Sequence, residues 1–110
     1  MLNETLSEND FERVADASLR ALERSLTDVD GLEVDLQSGI LALEFADGTK
    51  YIVNSHRAAR QIWMAAEHSA WHFDYLRDTE RWVASKTGEE LWSALAGVIT
   101  RKLGRSFEHG

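Results

Sequence analysis

Seven carboxylates, Glu12, Asp16, Glu23, Asp28, Asp30, Glu33 and Asp35, are gathered in the first third of the chain. Their chemistry is that of oxygen ligands and of negative charge. They suit a hard cation held at modest affinity and low selectivity, or a basic protein surface met through charge. At roughly 100° per residue, Glu12, Asp16 and Glu23 fall within about 40° of one another around a helix. Glu12 and Asp16 are like charges at i,i+4, which mildly destabilises an isolated helix. Glu33 and Asp35 alternate with Leu32, Val34 and Leu36, which places both acids on the outer face of a strand. If that strand lies beside the helix end, the two sets join into one open ridge. A chemical step requires a preorganised pocket closed to water, so such a ridge is a poor catalytic site. The D-x-D-x-D-G spacing of an EF-hand is also missing.

Other chemistry is sparse. There is no G-x-S-x-G, no P-loop and no G-x-G-x-x-G, and cysteine is absent, which excludes disulfides, thiolate metal sites and cysteine nucleophiles. His68 and His72 are four apart and would face one metal on a helix. The alternation around Trp71 and Phe73 puts His72 on a strand instead, so each is expected to face solvent. His56 and His109 stand without a recognisable partner. Trp63, Trp71, Trp82 and Trp92 are many for this length; core packing is the first expectation for each, but one on an exposed sheet face would be a partner anchor.

These residues need elements to hold them. Ser7 with Asp10 resembles a capping box, and Phe11, Val14, Ala15, Leu19, Leu22 and Leu26 recur at helical spacing, which predicts a helix near 8–28. Leu32–Gln37 alternates with period two, Ser38-Gly39 turns the chain, and Ile40–Phe45 reads as a second strand. Asp47-Gly48 signals a hairpin into a third strand, Lys50–Asn54. From His56 to His68 the alanines favour helix, whereas Ile62, Trp63 and the short length suit a strand. Ala70–Tyr75 and Arg81–Ser85 read as strands with a polar turn between them. Thr87-Gly88-Glu89-Glu90 reads as a second capping box, opening a helix through Leu91, Leu95, Val98, Ile99 and Leu103 that Gly104 ends. Arg105–Gly110 is expected to fray. The order predicts an α+β two-layer sandwich, two terminal helices on one face of an antiparallel sheet.

The 110 residues fit a single domain of ordinary globular composition, 44% apolar and 28% charged. The net charge of −7 argues against a nucleic-acid partner. Residues 1–47 hold twelve acidic and three basic residues, so the whole excess of negative charge lies in the first half. A solvated face accounts for that asymmetry as well as a binding site does. No run approaches a membrane span, and Met1–Glu4 lacks the basic start of a signal peptide, which points to a cytoplasmic protein.

The run Asn54-Ser-His-Arg-Ala-Ala-Arg-Gln61-Ile62-Trp63-Met64-Ala65, followed by Trp71-His72-Phe73-Asp74 and then Trp82, resembles the frataxin family, in particular its bacterial CyaY-type members. The family pattern is an asparagine, several variable residues, Gln-[Ile/Val]-Trp-x-[Ala/Ser], then an aromatic-His-[Phe/Tyr]-Asp strand. The stretch from Gly39 to Lys50 and the Thr87-Gly88-Glu89 helix start match as well, so the likeness spans nearly the whole chain. It implies that Arg60–Ala65 is a strand, and that the sandwich carries an acidic ridge on its first helix and first strand.

The implied role is an iron-binding accessory protein, not an enzyme, that tunes iron–sulfur cluster assembly by docking on the cysteine desulfurase and the cluster scaffold. Carried over by position, the ridge is Glu23, Asp28, Asp30, Glu33 and Asp35, with Asp16 nearer the helix start. It would hold Fe²⁺ or Fe³⁺ weakly. The sheet-surface matches are Asn54, Gln61 and Trp63, and the protein is expected to be a monomer or an iron-dependent oligomer. Arg24 and Thr27 stand where bacterial relatives often carry acids, the loop around Gly31 is shorter, and His56 replaces a Gln or Arg. Fewer carboxylates imply weaker or fewer iron sites. A purely electrostatic adaptor with incidental metal binding is the alternative. A ferroxidase ranks below both, because no Glu-x-x-His di-iron arrangement is present.

Overall fold

Period-two burial runs through the middle of the chain and period-3.6 burial through both ends. The computed structural model describes residues 6–104; the tail Arg105–Gly110 with His109 lies outside the described residues, as does Met1–Thr5. Helix α1 (Glu8–Leu26) is followed by strands β1 (Leu32–Gln37), β2 (Ile40–Phe45), β3 (Lys50–His56), β4 (Gln61–Ala66), β5 (Ser69–Leu76) and β6 (Arg81–Ala84), then helix α2 (Leu91–Leu103). The strands form one antiparallel sheet in sequence order, β1 to β6. Phe11, Ala15, Leu19, Leu22 and Leu26 of α1 and Leu91, Ala94, Leu95, Val98 and Ile99 of α2 are buried against one sheet face. That face supplies Leu41, Leu43, Tyr51, Val53, Ile62, Met64 and Phe73, and the other is left open.

The ambiguous segment is a strand. Ile62, Met64 and Ala66 are buried at every second position. A helix would turn Met64 to the side opposite Ile62 and Ala66, so burial of all three on one side decides against the alanine propensity. Ala58 and Ala59 lie in the connecting turn, which closes through Arg60 at φ 54°. Arg60 then straps the N-terminal entry to the sheet, its Nε donating to Leu6 O at 3.1 Å.

The first cap forms as expected: Ser7 Oγ accepts from Asp10 N at 3.1 Å. The second does not. Gly88 N donates to Ala84 O and Ala84 N to Glu89 O, which folds residues 85–89 back onto β6 and keeps Thr87 out of the helix. Glu90 is the N-cap instead, its carboxylate accepting from Trp92 N and Ser93 N. Gly104 ends α2 at φ 73°, as the sequence predicts. The far end of α2 is fastened by Lys102 Nζ, 2.6 Å from Asp47 Oδ2. That hydrogen bond, with Thr49 adding its own, holds the Asp47 carboxyl well below the usual carboxylate range.

Tyr51 gives the fold a measurable alkaline limit. Its ring is buried in edge contact with Phe45, 4.8 Å between centroids, and its hydroxyl donates to Glu67 Oε1 at 2.6 Å. Burial first, then the bond to Glu67, push the phenol up to about 12 from its ordinary 10.0. The unfolded chain therefore loses this proton before the folded one does. Stability from this group is full below pH 10 and is lost as pH rises toward about 12. Tyr51→Phe is expected to flatten the fall in melting temperature over that window; an unchanged slope would mean another group sets it.

Candidate functional site

α1 packs against β1 and β3, so the helix and the outermost strand share one border of the molecule. Along it Glu12 and Asp16 are exposed on α1 and Glu23 is half-buried nearer its end. Asp28 and Asp30 lie in the turn that follows, where Thr27 caps the helix and its hydroxyl donates to Glu23 O at 2.6 Å. Glu33 and Asp35 come next, exposed on β1. The two sets thus lie on elements that pack together, α1 and β1, with Glu33 and Asp35 on the sheet side that the helices leave open.

The acids along this border are not equivalent. Arg57 lies 2.9 Å from Glu12 and 3.3 Å from Glu8, and Arg20 lies 2.8 Å from Asp16. These two members of the expected ridge are spoken for by arginines. The bond and charge of Asp16, with Glu23 adding, hold the Arg20 guanidinium yet more firmly protonated. Among the described residues no ion pair engages Asp28, Glu33 or Asp35. Sequence reading missed a further member: Glu44 on β2 is directly opposite Glu33 and next to Lys50 across the sheet. Glu33 and Glu44 line a hollow of ≈ 370 Å³ with Gly31 and Gly48. The signal was available, because a two-residue turn at Ser38-Gly39 pairs Gln37 with Ile40 and so Glu33 with Glu44. No three His, Asp or Glu side chains among the described residues converge on a point where a metal ion would sit. The border is a field of separate oxygens, which can attract a cation but does not enclose one.

The second surface is the open face of the sheet. Asn54, Gln61 and Trp63 share it, with Asn54 directly opposite Trp63 and Trp63 directly opposite His72. Trp63 Nε1 donates to Gln61 Oε1 at 2.7 Å, and Gln61 Nε2 donates to Asp74 Oδ1 at 3.0 Å. Ile40, 49% exposed, lies in the same cross-strand row, opposite Asn54. His68 and His72 face solvent, as expected. His56, without a recognisable partner in the sequence, stacks on Trp63 at 3.9 Å between centroids. Of the remaining indoles Trp82 is buried and Trp71 and Trp92 pack against the core.

An α-β sandwich whose helices cover one sheet face, with an acidic border and an aromatic-bearing open face, is the class of protein these surfaces define. The chain belongs to the frataxin-like domain family, which it matches over residues 4–105. It is 37% identical to the iron-sulfur cluster assembly protein CyaY of Ralstonia nicotianae, with 88% of each chain covered. Its fold is similar to that of frataxin from Psychromonas ingrahamii, with a TM-score of 0.85 at 23% identity over 94% of this chain and 97% of that one. It is also similar to the trimeric frataxin of the yeast Saccharomyces cerevisiae complexed with ferrous iron, with a TM-score of 0.61 at 24% identity over 94% and 92% of the two chains. No helix among the described residues is long and apolar enough to cross a membrane.

Proposed function

We propose that this protein is an iron-binding accessory factor of iron–sulfur cluster assembly that acts by docking. The observation that carries the reading is the pairing of two unlike surfaces on one family scaffold, an acidic border in which no ion pair among the described residues engages Asp28, Glu33 or Asp35, and an open face centred on Trp63. The acidic border meets a basic patch of the cysteine desulfurase, where opposite charge speeds encounter and fixes orientation. The Trp63 face, with Asn54 and Gln61, meets the cluster scaffold. Iron associates with the carboxylates of the border, weakly and in the open. Separate oxygens without a chelating set give low affinity and let the ion leave again.

That same lack of a chelating set among the described residues favours a second reading, in which the border is a docking surface alone and its iron is incidental. The two separate in one titration. Under the first, Fe²⁺ broadens the amide signals of Glu23–Asp35 before any others; ridge signals that stay sharp at millimolar Fe²⁺ leave the adaptor. Both readings share the docking step, which Glu23→Lys with Asp28→Lys tests. Two reversals at a charged interface are expected to weaken desulfurase binding about tenfold or more at low salt, with the difference shrinking as salt is added. Affinity unchanged at every salt concentration would remove the electrostatic contact.

A further inference from the structure

Trp63 stands between two imidazoles. His56 stacks on its indole at 3.9 Å between centroids and 19° between planes, and His72 at 4.2 Å and 10°. These histidines sit on β3 and β5, which flank β4 on opposite sides, so they close on opposite faces of the ring. The indole N–H is spent on Gln61, which Asp74 holds in turn. With both faces and the donor engaged, the carbon edge of the indole is what remains for a partner. We infer that His56 and His72 are positioning residues for Trp63, holding the indole edge-outward in one orientation and making the docking of that face depend on pH. The inference rests on the docking reading above and concerns how that face is regulated.

Ordering a free side chain on association weakens an interface by roughly two- to tenfold. A stacked indole has lost that freedom before the partner arrives. Imidazole is also the side chain that changes charge between about pH 5 and 8. An imidazolium over an indole face is attracted to it, so a proton on His72 tightens its side of the stack. His56 behaves differently. Its Nδ1 accepts the Ala59 N–H at 3.3 Å, a bond that a protonated Nδ1 cannot make. A proton placed there loosens the turn that holds His56 against the indole. The charged groups around the stack are Asp74 through Gln61, Arg57 and Arg60 in the turn after His56, and Lys86 and Glu89, which line one groove with His72. Arg57 is itself engaged by Glu8 and Glu12.

The test has an arm that needs no partner. In the protein alone, the Trp63 indole Hε1 resonance is expected to move between about pH 5 and 8, and His72→Phe, which keeps a ring on the indole but cannot titrate, to remove part of that movement. A resonance that stays fixed through the range in the native protein overturns the proton dependence. In the second arm, His56→Ala with His72→Ala is expected to weaken binding to the scaffold protein by roughly two- to tenfold at pH 8, while His72→Phe alone binds like the native chain and loses its share of the pH profile. Native affinity in the double variant overturns the positioning role. If Trp63→Ala itself binds the scaffold normally, the docking reading fails instead, and the titration of the isolated protein still decides whether the stack senses protons.

Discussion

Trp82→Ala is expected to lower stability by about 3–5 kcal/mol, the range for removing a large aromatic side chain from a core. Trp82 is 3% exposed and sits where α1, β5 and β6 meet. Its indole receives Phe11 edge-on at 6.0 Å and leans on Tyr75 at 5.0 Å, and its Nε1 donates to Ser18 Oγ at 2.9 Å. Alanine removes all three contacts at once and leaves a cavity between helix and sheet that Phe11 cannot fill without leaving its own place. At about 4–8 °C per kcal/mol for a domain near this size, the melting temperature should fall by roughly 15 °C or more. Trp82→Phe keeps most of the packing and drops the bond to Ser18, so it should cost nearer 1 kcal/mol, on the order of one net hydrogen bond plus a small volume loss. Thermal and denaturant unfolding of the two variants check this. A loss under about 1 kcal/mol for alanine would mean that β6 is not anchored through this side chain.

Trp63→Ala should show the opposite profile. The indole lies on the open face, so its removal leaves the helix-covered core intact, and the melting temperature is expected to move by only a few degrees. Docking is where the loss should fall. A central aromatic anchor carries at least about 2 kcal/mol of an interface, which is roughly a thirtyfold loss in affinity for the scaffold protein. Isothermal titration against the scaffold, with the Glu23 and Asp28 reversals run against the desulfurase beside it, separates the two surfaces. Loss of scaffold affinity with desulfurase affinity retained is the expected pair. If instead the Trp63 variant loses both contacts equally, one surface serves both partners and the division of labour proposed here is wrong.

Much of the fold was legible in the residues because burial leaves a local imprint. Leu19, Leu22 and Leu26 announce α1, and the alternation in Leu32–Gln37 announces β1, without reference to anything distant. The stretch from Arg60 to Ala66 was not legible from propensity, since its alanines suit a helix; the buried alternation of Ile62, Met64 and Ala66 depends on a sheet being there to receive them. The second cap failed for a related reason. Thr87 has the right spacing, but the bonds of Ala84 to Gly88 and Glu89 hold its segment in a turn, a constraint that comes from β6 and not from the capping sequence.

What the sequence determined by itself is therefore the kind of every element except β4, the antiparallel run of the first three strands, and the crowding of acids in the first half of the chain, because 3.6 and 2.0 residues per repeat are properties of the backbone. What only the tertiary structure decided is which side chains meet. Glu12 is neutralised by an arginine 45 positions away, Lys102 reaches Asp47, and His56 and His72 close on Trp63 from neighbouring strands. Such meetings require strand register and helix placement to be fixed together, and no local pattern of residues encodes that distance.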